Sequence, residues 1–168
     1  SSLIETAMKS NKLIGVIGSK RQADDNPQPG DMYETGTVVR VLYVTRAPDN
    51  TVLMVAHGLN RFRIDEWIPG KDFLSAKIML TPEILEGDIE TEALHRSLRE
   101  LSQEVFTLSL NAPKEAIEGL SRITSPLGLA YIAAAHADID FARRKQMLDE
   151  DSLKAKLREL VTIFSHEK

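Results

Sequence analysis

Histidine, carboxylate and hydroxyl side chains are the groups in this 168-residue sequence that could carry chemistry. The four histidines are His57, His95, His136 and His166. No two of them lie three or four residues apart, the spacing that would place two imidazole ligands on one helix face. His136 precedes Asp138 and Asp140, but aspartates there are more typical of a turn that caps a helix. The sequence therefore predicts no metal site.

Two further patterns match a catalytic or nucleotide-binding motif only in part. Residues 15–20 read Gly-Val-Ile-Gly-Ser-Lys, whereas a phosphate-binding loop needs four residues between its glycines and a lysine directly after the second. We interpret this run as a buried strand that enters a polar turn. The sequence contains no Gly-x-Ser-x-Gly elbow for a hydrolytic triad and no cysteine. We predict no catalytic, cofactor-binding or metal-binding residue, so the chain is not expected to be an enzyme.

The charged groupings have structural interpretations. The acidic run 149–151 precedes the last predicted helix, where negative charge is favourable, and Asp149 or Asp151 is the expected cap. The basic run 143–145 and the pair Arg61 and Arg63 lack interleaved aromatic residues, so they are more typical of solvated faces or salt-bridge partners than of an RNA-binding surface. With a net charge of -4, binding to nucleic acid is not expected.

Composition places the chain among globular proteins. Hydrophobic residues make up 42% and charged residues 27%, and no run approaches the ~20 apolar residues of a membrane span, so no membrane association is expected. The absence of cysteine favours a reducing, cytoplasmic location. Because the sequence begins Ser-Ser and ends within an apolar helical stripe, we expect a piece of a longer protein.

Hydrophobic periodicity predicts strands in the first half and helices in the second. A short helix over residues 3–8 precedes about five strands, and Pro48, Asp49 and Asn50 form a hairpin turn. The predicted strands cover residues 12–18, 37–45, 51–56, 61–64 and 73–80. Because strands come first and helices second, the fold class is α+β, with a β-rich lobe over 1–86 and a helical lobe over 87–168.

Five helices are predicted after residue 87. Leucines and valines spaced four and three residues apart over 94–108 share one helix face, and Pro113 starts a short helix that runs to Ile123. Ser125 and Pro126 supply an N-cap and a first helical position for a helix that ends near Ala137. A helix over 141–148 and a last helix with an apolar stripe from 153 to 164 complete the lobe.

Five apolar or aromatic residues lie near predicted strand ends and beside loops. They are Met32, Tyr33, Trp67, Ile68 and Phe73. A residue in such a position either packs in the core or borders an exposed apolar patch used for binding. We keep these five as candidate contacts for a binding partner.

The order of several segments resembles the amino-terminal domain of ATP-dependent Lon proteases. Residues 32–41 (Met-Tyr-Glu-Thr-Gly-Thr-Val-Val-Arg-Val) are similar to the family's Leu-Tyr-Glu-x-Gly-Thr-x-Ala-x-Ile pattern. An acidic, proline-containing loop precedes them, and a proline-containing hairpin turn follows. Further segments that resemble family motifs are 58–64 (Gly-Leu-Asn-Arg-Phe-Arg-Ile), 125–132 (Ser-Pro-Leu-Gly-Leu-Ala-Tyr-Ile) and 144–148 (Arg-Lys-Gln-Met-Leu). The resemblance covers nearly the whole chain.

This resemblance implies a PUA-like first lobe, a meander or pseudo-barrel with one helix, followed by an all-helical lobe that ends in a long helix. The family's opening strand, with its Pro-Leu-Arg and Phe-Pro-Gly, is not found before the first helix, so we expect one open sheet edge. The implied function is recognition of unfolded or damaged proteins and support of a homohexameric ring. ATP, Mg and the Ser-Lys protease pair are expected only in downstream domains of the parent.

Two other classes of function remain open on the sequence. A stand-alone PUA-like module for small ligands or nucleic acid would need a concentrated basic or aromatic face, which the acidic charge balance does not suggest. An independent enzyme would need a catalytic constellation, and the residues above form none.

Overall fold

The computed structural model describes residues 2–21, 26–108 and 114–166. The chain divides into two compact units, Ser1–Pro82 and Glu83–Lys168. The domain boundary expected after residue 86 stays a prediction. The loop residues 22–25 and the expected helix start at Pro113 lie outside the described residues.

The first unit is an antiparallel sheet with one short α-helix. Helix α1 (Ser2–Met8) precedes strand β1 (Leu13–Ser19), and a 3-10 helix at Pro29–Asp31 leads into β2 (Met32–Arg46). Strands β3 (Val52–Ile68) and β4 (Ser75–Leu80) follow, and the strand order is β1-β2-β3-β4. Each strand pairs with its sequence neighbour, so the sheet is the predicted meander.

The number of strands differs from the prediction of about five. The segments predicted as separate strands over 51–56 and 61–64 belong to one strand, β3, because residues between them continue to pair with β2. His57 lies opposite Arg40 and Gly58 opposite Val39, and a register shift beside this pair accommodates Leu59 as an extra residue. A β-bulge therefore replaces the predicted break.

The hairpin turn between β2 and β3 is confirmed. The Asp49 carboxylate accepts a hydrogen bond from the backbone N–H of Thr51 at 2.9 Å, and Asn50 has a φ of 66°. Asparagine tolerates this left-handed conformation better than most residues. The turn thus aligns two strands that are much longer than β1 and β4.

In the second unit, the described residues form helices, their connections and one isolated β-bridge. Its helices are α2 (Ile89–Leu108), α3 (Lys114–Arg122), α4 (Pro126–His136), α5 (Phe141–Asp149) and α6 (Leu153–His166). Most residues of the predicted stripes on α2 and α6 pack in its core, in which Leu98, Leu157, Leu160 and Phe164 are fully buried, whereas Leu108 at the end of α2 is exposed. The predicted α+β class, with a β-rich part before an all-helical part, is confirmed. No helix within the described residues has the length and apolar content that crossing a bilayer requires.

Two predicted helix starts are confirmed, and one was wrong. Ser125 and Asp140 cap α4 and α5 through their side chains. The cap of α6 is Ser152, whose hydroxyl accepts the N–H of Ala155 at 3.1 Å, and not Asp149 or Asp151. Asp149 instead ends α5, where its carboxylate pairs with Lys145 at 2.6 Å. Proximity along the sequence could not distinguish these side chains, because each lies within four residues of the helix.

Candidate functional site

A broad, open depression of about 1300 Å³ lies in the sheet unit. Strand β1, the end of β3, the connection to β4 and residues 26–29 surround it. Most of its lining is apolar, and the charged residues among those lining it are Lys71 and Asp72. An open surface with this composition suits apolar chains better than ions or nucleotides.

Two glycines make room for the ring of Phe62, a residue that lines the depression. The Phe62 ring is 2% exposed and lies beneath β1 and β2. A Cβ added to Gly36 would lie 2.5 Å from the carbonyl oxygen of Val16 and 2.6 Å from Cζ of Phe62, and one added to Gly15 would lie 3.2 Å from the same ring. Because neither glycine has a side chain, the ring can lie directly against the two strands.

The connection between β3 and β4 brings three of the predicted contact residues together. Trp67 and Ile68 end β3 opposite Ala76 and Ser75, and Phe73 lies in the connection between these pairs. Gly70 has a φ of +97°, a conformation that favours glycine, so the chain can reverse within this short segment. Trp67, Ile68 and Phe73 therefore all line the depression.

The other two predicted contact residues lie elsewhere in the same unit. Met32 is 9% exposed at the start of β2, where it pairs with Ser19. Tyr33 is half-buried, and the Lys20 ammonium group lies 5.9 Å from the centre of its ring. Neither residue lines the depression. Contact between any of the five residues and a partner stays a prediction.

Several residues of the depression were not predicted from the sequence. Ile14, Val16 and Ile17 come from β1, Pro27 comes from the loop before the 3-10 helix, and Pro29 begins that helix. The apolar run over 13–17 was interpreted as a buried strand, yet Val16 is exposed and β1 forms one edge of the sheet, with a neighbouring strand on one side. Only the strand order, and no local signal, distinguishes such an edge strand from a central one.

The groups that could have carried chemistry have structural partners. Arg61 is buried and donates to the carbonyl of Thr81 at 3.3 Å, and Arg63 pairs with Glu34 at 3.5 Å. Arg143 pairs with Glu159 at 2.9 Å. These contacts confirm that the basic groupings are salt-bridge and hydrogen-bond partners. Residues 15–19 lie in β1, which confirms a strand in place of a phosphate loop.

Metal ligation has no candidate in the part of the chain that the structure describes, where no three histidine, aspartate or glutamate side chains converge. Burial and the neighbouring Arg99 guanidinium lower the pKa of His95, which lies on α2 in the other unit. This histidine therefore favours its neutral form, and its ring nitrogen contacts an arginine instead of a second ligand.

Ion pairs hold the start of the helical unit against α6. Glu83 and Lys156 form a pair whose side chains are 6% and 2% exposed, and the Tyr131 hydroxyl also donates to Glu83. Asp88 accepts from the Lys154 ammonium group, which holds the pKa of that carboxyl well below its usual range and raises the pKa of Lys154. These pairs join residues 83–90 to one helix and are structural.

Similarity to known proteins is consistent along nearly the whole chain. The "ATP-dependent protease La (LON) substrate-binding domain" family model matches residues 1–166. A Lon protease from Anaeromyxobacter dehalogenans is 30% identical over 99% of this chain, and one from Desulfovibrio desulfuricans is 34% identical over 89%. The chain spans only 20% and 17% of the lengths of these two relatives.

Solved structures show the same fold. The N-terminal domain of Mycobacterium avium complex Lon protease superposes with a TM-score of 0.69 and 21% identity, covering 96% of this chain and 82% of that one. A Lon N-terminal domain protein from Xanthomonas campestris gives 0.59 with 16% identity, covering 96% of this chain and 81% of that one. The chain belongs to the family of substrate-binding domains of the ATP-dependent protease La, or Lon.

Proposed function

We propose that this domain captures apolar segments of unfolded or damaged proteins for a Lon-type ATP-dependent protease, and that the depression in the sheet unit holds those segments. The observation that carries the proposal is the apolar lining of the depression, to which Trp67, Ile68 and Phe73 all contribute. The family's description as a substrate-binding domain supports the same class of partner.

Capture at such a surface is weak and reversible. Burying one large apolar side chain contributes roughly 1.5–3 kcal/mol, and ordering a flexible polypeptide offsets much of that gain. Self-association of the parent, as a homohexamer, would place several such surfaces near one another, so modest affinities would combine into firm capture. This arrangement favours chains with several exposed apolar segments over folded proteins.

The catalytic steps belong to other parts of the parent in this proposal. ATP and Mg act there, as does a Ser-Lys pair, and this domain acts without a cofactor. The cytoplasmic location expected from the absence of cysteine belongs to the same proposal.

The first experiment is a fluorescence-anisotropy titration of the 168-residue domain with one labelled protein in its unfolded and native forms. An unstructured RNA is the third ligand. We expect preference for the unfolded form that moderate salt leaves unchanged, because the lining carries few charges. Tight, salt-sensitive RNA binding without that preference would replace the proposal with a nucleic-acid binding module. Binding of none of the three would refute capture by the isolated domain.

A variant pair then locates the surface. Ile68 is exposed and lines the depression, whereas Met79 is exposed on β4 and does not line it. Ile68→Glu should weaken binding of the unfolded protein about tenfold (about 1.4 kcal/mol), because the introduced carboxylate would be desolvated against apolar chains. Met79→Glu, its control, should leave affinity unchanged. Equal affinities for the two variants, both with native circular dichroism, would remove the depression as the site.

A further inference from the structure

The hairpin of β2 and β3 extends beyond the four-stranded part of the sheet. Strand β1 pairs with β2 only as far as Arg40, and β4 pairs with β3 only from Phe62 onwards. Residues 42–56 therefore form a two-stranded ribbon in the described sheet, which we call the arm. An isolated two-stranded ribbon is marginally stable in water, so an exposed apolar face on it calls for a partner.

One face of the arm carries a continuous apolar surface. Tyr43 lies opposite Val55 and Thr45 lies opposite Leu53, so these four side chains share a face. A register shift inserts Leu42 as an extra residue, and Leu42 and Tyr43 are both 55% exposed. Leu53 and Val55 are exposed to a similar extent, and this face carries no acidic side chain.

A positive charge lies between this face and the depression. Side chains alternate along β2, so Arg40 lies on the same face as Val38, which lines the depression. Arg40 is exposed opposite His57, and its guanidinium group forms no hydrogen bond or ion pair with another described residue. The surface therefore runs from an apolar depression past a cation to the apolar face of the arm.

We infer that the arm extends the depression into one surface for an extended polypeptide in which an acidic residue separates two apolar clusters. This inference rests on the proposed function and specifies its substrate class. Leu42 lies four positions after Val38, a span of about 13 Å in a strand, so the acidic residue belongs about two positions from each cluster.

Charge complementarity favours this occupant over two others. A second copy of the same face would bring another Arg40 and no carboxylate, so like charges would meet. An anionic lipid surface would attract Arg40 but repel a chain whose net charge is -4. A polypeptide segment can supply both the apolar side chains and the carboxylate.

The test uses three labelled peptides that differ only in the central residue, which is Glu, Gln or Lys. Two apolar residues flank this position on each side, and anisotropy with the 168-residue domain gives the affinities. We expect the Glu peptide to bind about fivefold (about 1 kcal/mol) more tightly than the Lys peptide at low salt. Arg40→Glu should reverse this order, whereas Arg46→Glu, at the far end of the arm, should preserve it. Leu42→Ser should weaken all three peptides.

The outcomes separate this inference from the proposed function. If the peptides bind and Ile68→Glu weakens them, but the central charge has no effect, the depression binds polypeptide and the extension to the arm is wrong. If neither peptides nor unfolded protein bind, the proposed function itself fails. Sedimentation equilibrium is the remaining control. A dimer that Leu42→Ser abolishes would assign the arm to self-association and overturn the inference.

Discussion

Substitution of Gly36 by alanine tests how the floor of the depression is built. The added Cβ would lie 2.5 Å from the Val16 carbonyl oxygen and 2.6 Å from Cζ of Phe62, whereas an ordinary contact begins at 3.4 Å. The Phe62 ring could rotate, but the Val16 carbonyl belongs to the paired backbone and could move only if β1 separated from β2. Overpacking of a well-packed site costs roughly 1–3 kcal/mol. We expect about 3 kcal/mol, because one of the two clashes involves backbone.

Denaturant titration with two probes measures this cost. Trp67 is the only tryptophan of the chain, so its fluorescence reports the sheet unit, whereas circular dichroism at 222 nm mainly reports the helical unit. Gly36→Ala should shift the fluorescence transition strongly and the dichroism transition little. Gly30→Ala is the control, because a Cβ there would meet nothing within 4 Å. It should be neutral or stabilise by up to about 1 kcal/mol.

A double-mutant cycle separates the two clashes. Phe62→Leu shortens the ring side chain, so the variant with both substitutions should be more stable than the sum of the single effects predicts. The second substitution should restore only part of the lost stability, because the contact with the Val16 carbonyl remains. The reasoning would be refuted if the free energies of unfolding of Gly36→Ala and Gly30→Ala differed by less than about 0.5 kcal/mol, which is the spread among ordinary surface substitutions.

Three further predictions concern the helical unit. Lys156→Met should destabilise it by about 3–5 kcal/mol in thermal unfolding, because Glu83 stays buried without its cation, and Lys156→Met with Glu83→Leu should recover most of the loss. Asp88 has a pKa below its ordinary 3.8, so its stabilising effect is complete above that pH and is lost as the pH falls further. The melting temperature of Asp88→Asn should accordingly drop less than that of the natural chain between pH 5 and pH 2.5, and a constant difference would contradict the Lys154 contact. Ser125→Ala should cost about 1 kcal/mol, measured by urea unfolding, because the cap of α4 is lost.

Local signals in the sequence were sufficient for most elements. Ser125 and Asp140 start their helices because a cap needs only its own side chain and the next three residues. The turn at Pro48, Asp49 and Asn50 likewise depends on neighbouring atoms. Apolar spacing predicted which faces of α2 and α6 are buried, since the helix period alone places those residues together.

Features that depend on distant partners could not be read in this way. The continuity of β3 through Gly58 depends on pairing with β2, about twenty residues earlier. The choice of Ser152 over Asp149 and Asp151 as the cap of α6 cannot be read from proximity alone, and the Ser152 hydroxyl also donates to Glu86, which is 66 residues away. The spacing of polar residues along the sequence does not show which of them the folded chain uses to cap a helix.

The candidate site likewise has one part that the sequence predicted and another that depended on the tertiary structure. Trp67, Ile68 and Phe73 were predicted as contacts because each lies near a strand end, and all three line the depression. The sequence by itself determined the order of strands before helices, the hairpin turn after β2 and the apolar residues that make such a surface possible. Tertiary structure decided that β1 is an edge strand and that the Phe62 ring lies beneath Gly36, because both follow from strand order and close approach between residues far apart in the chain.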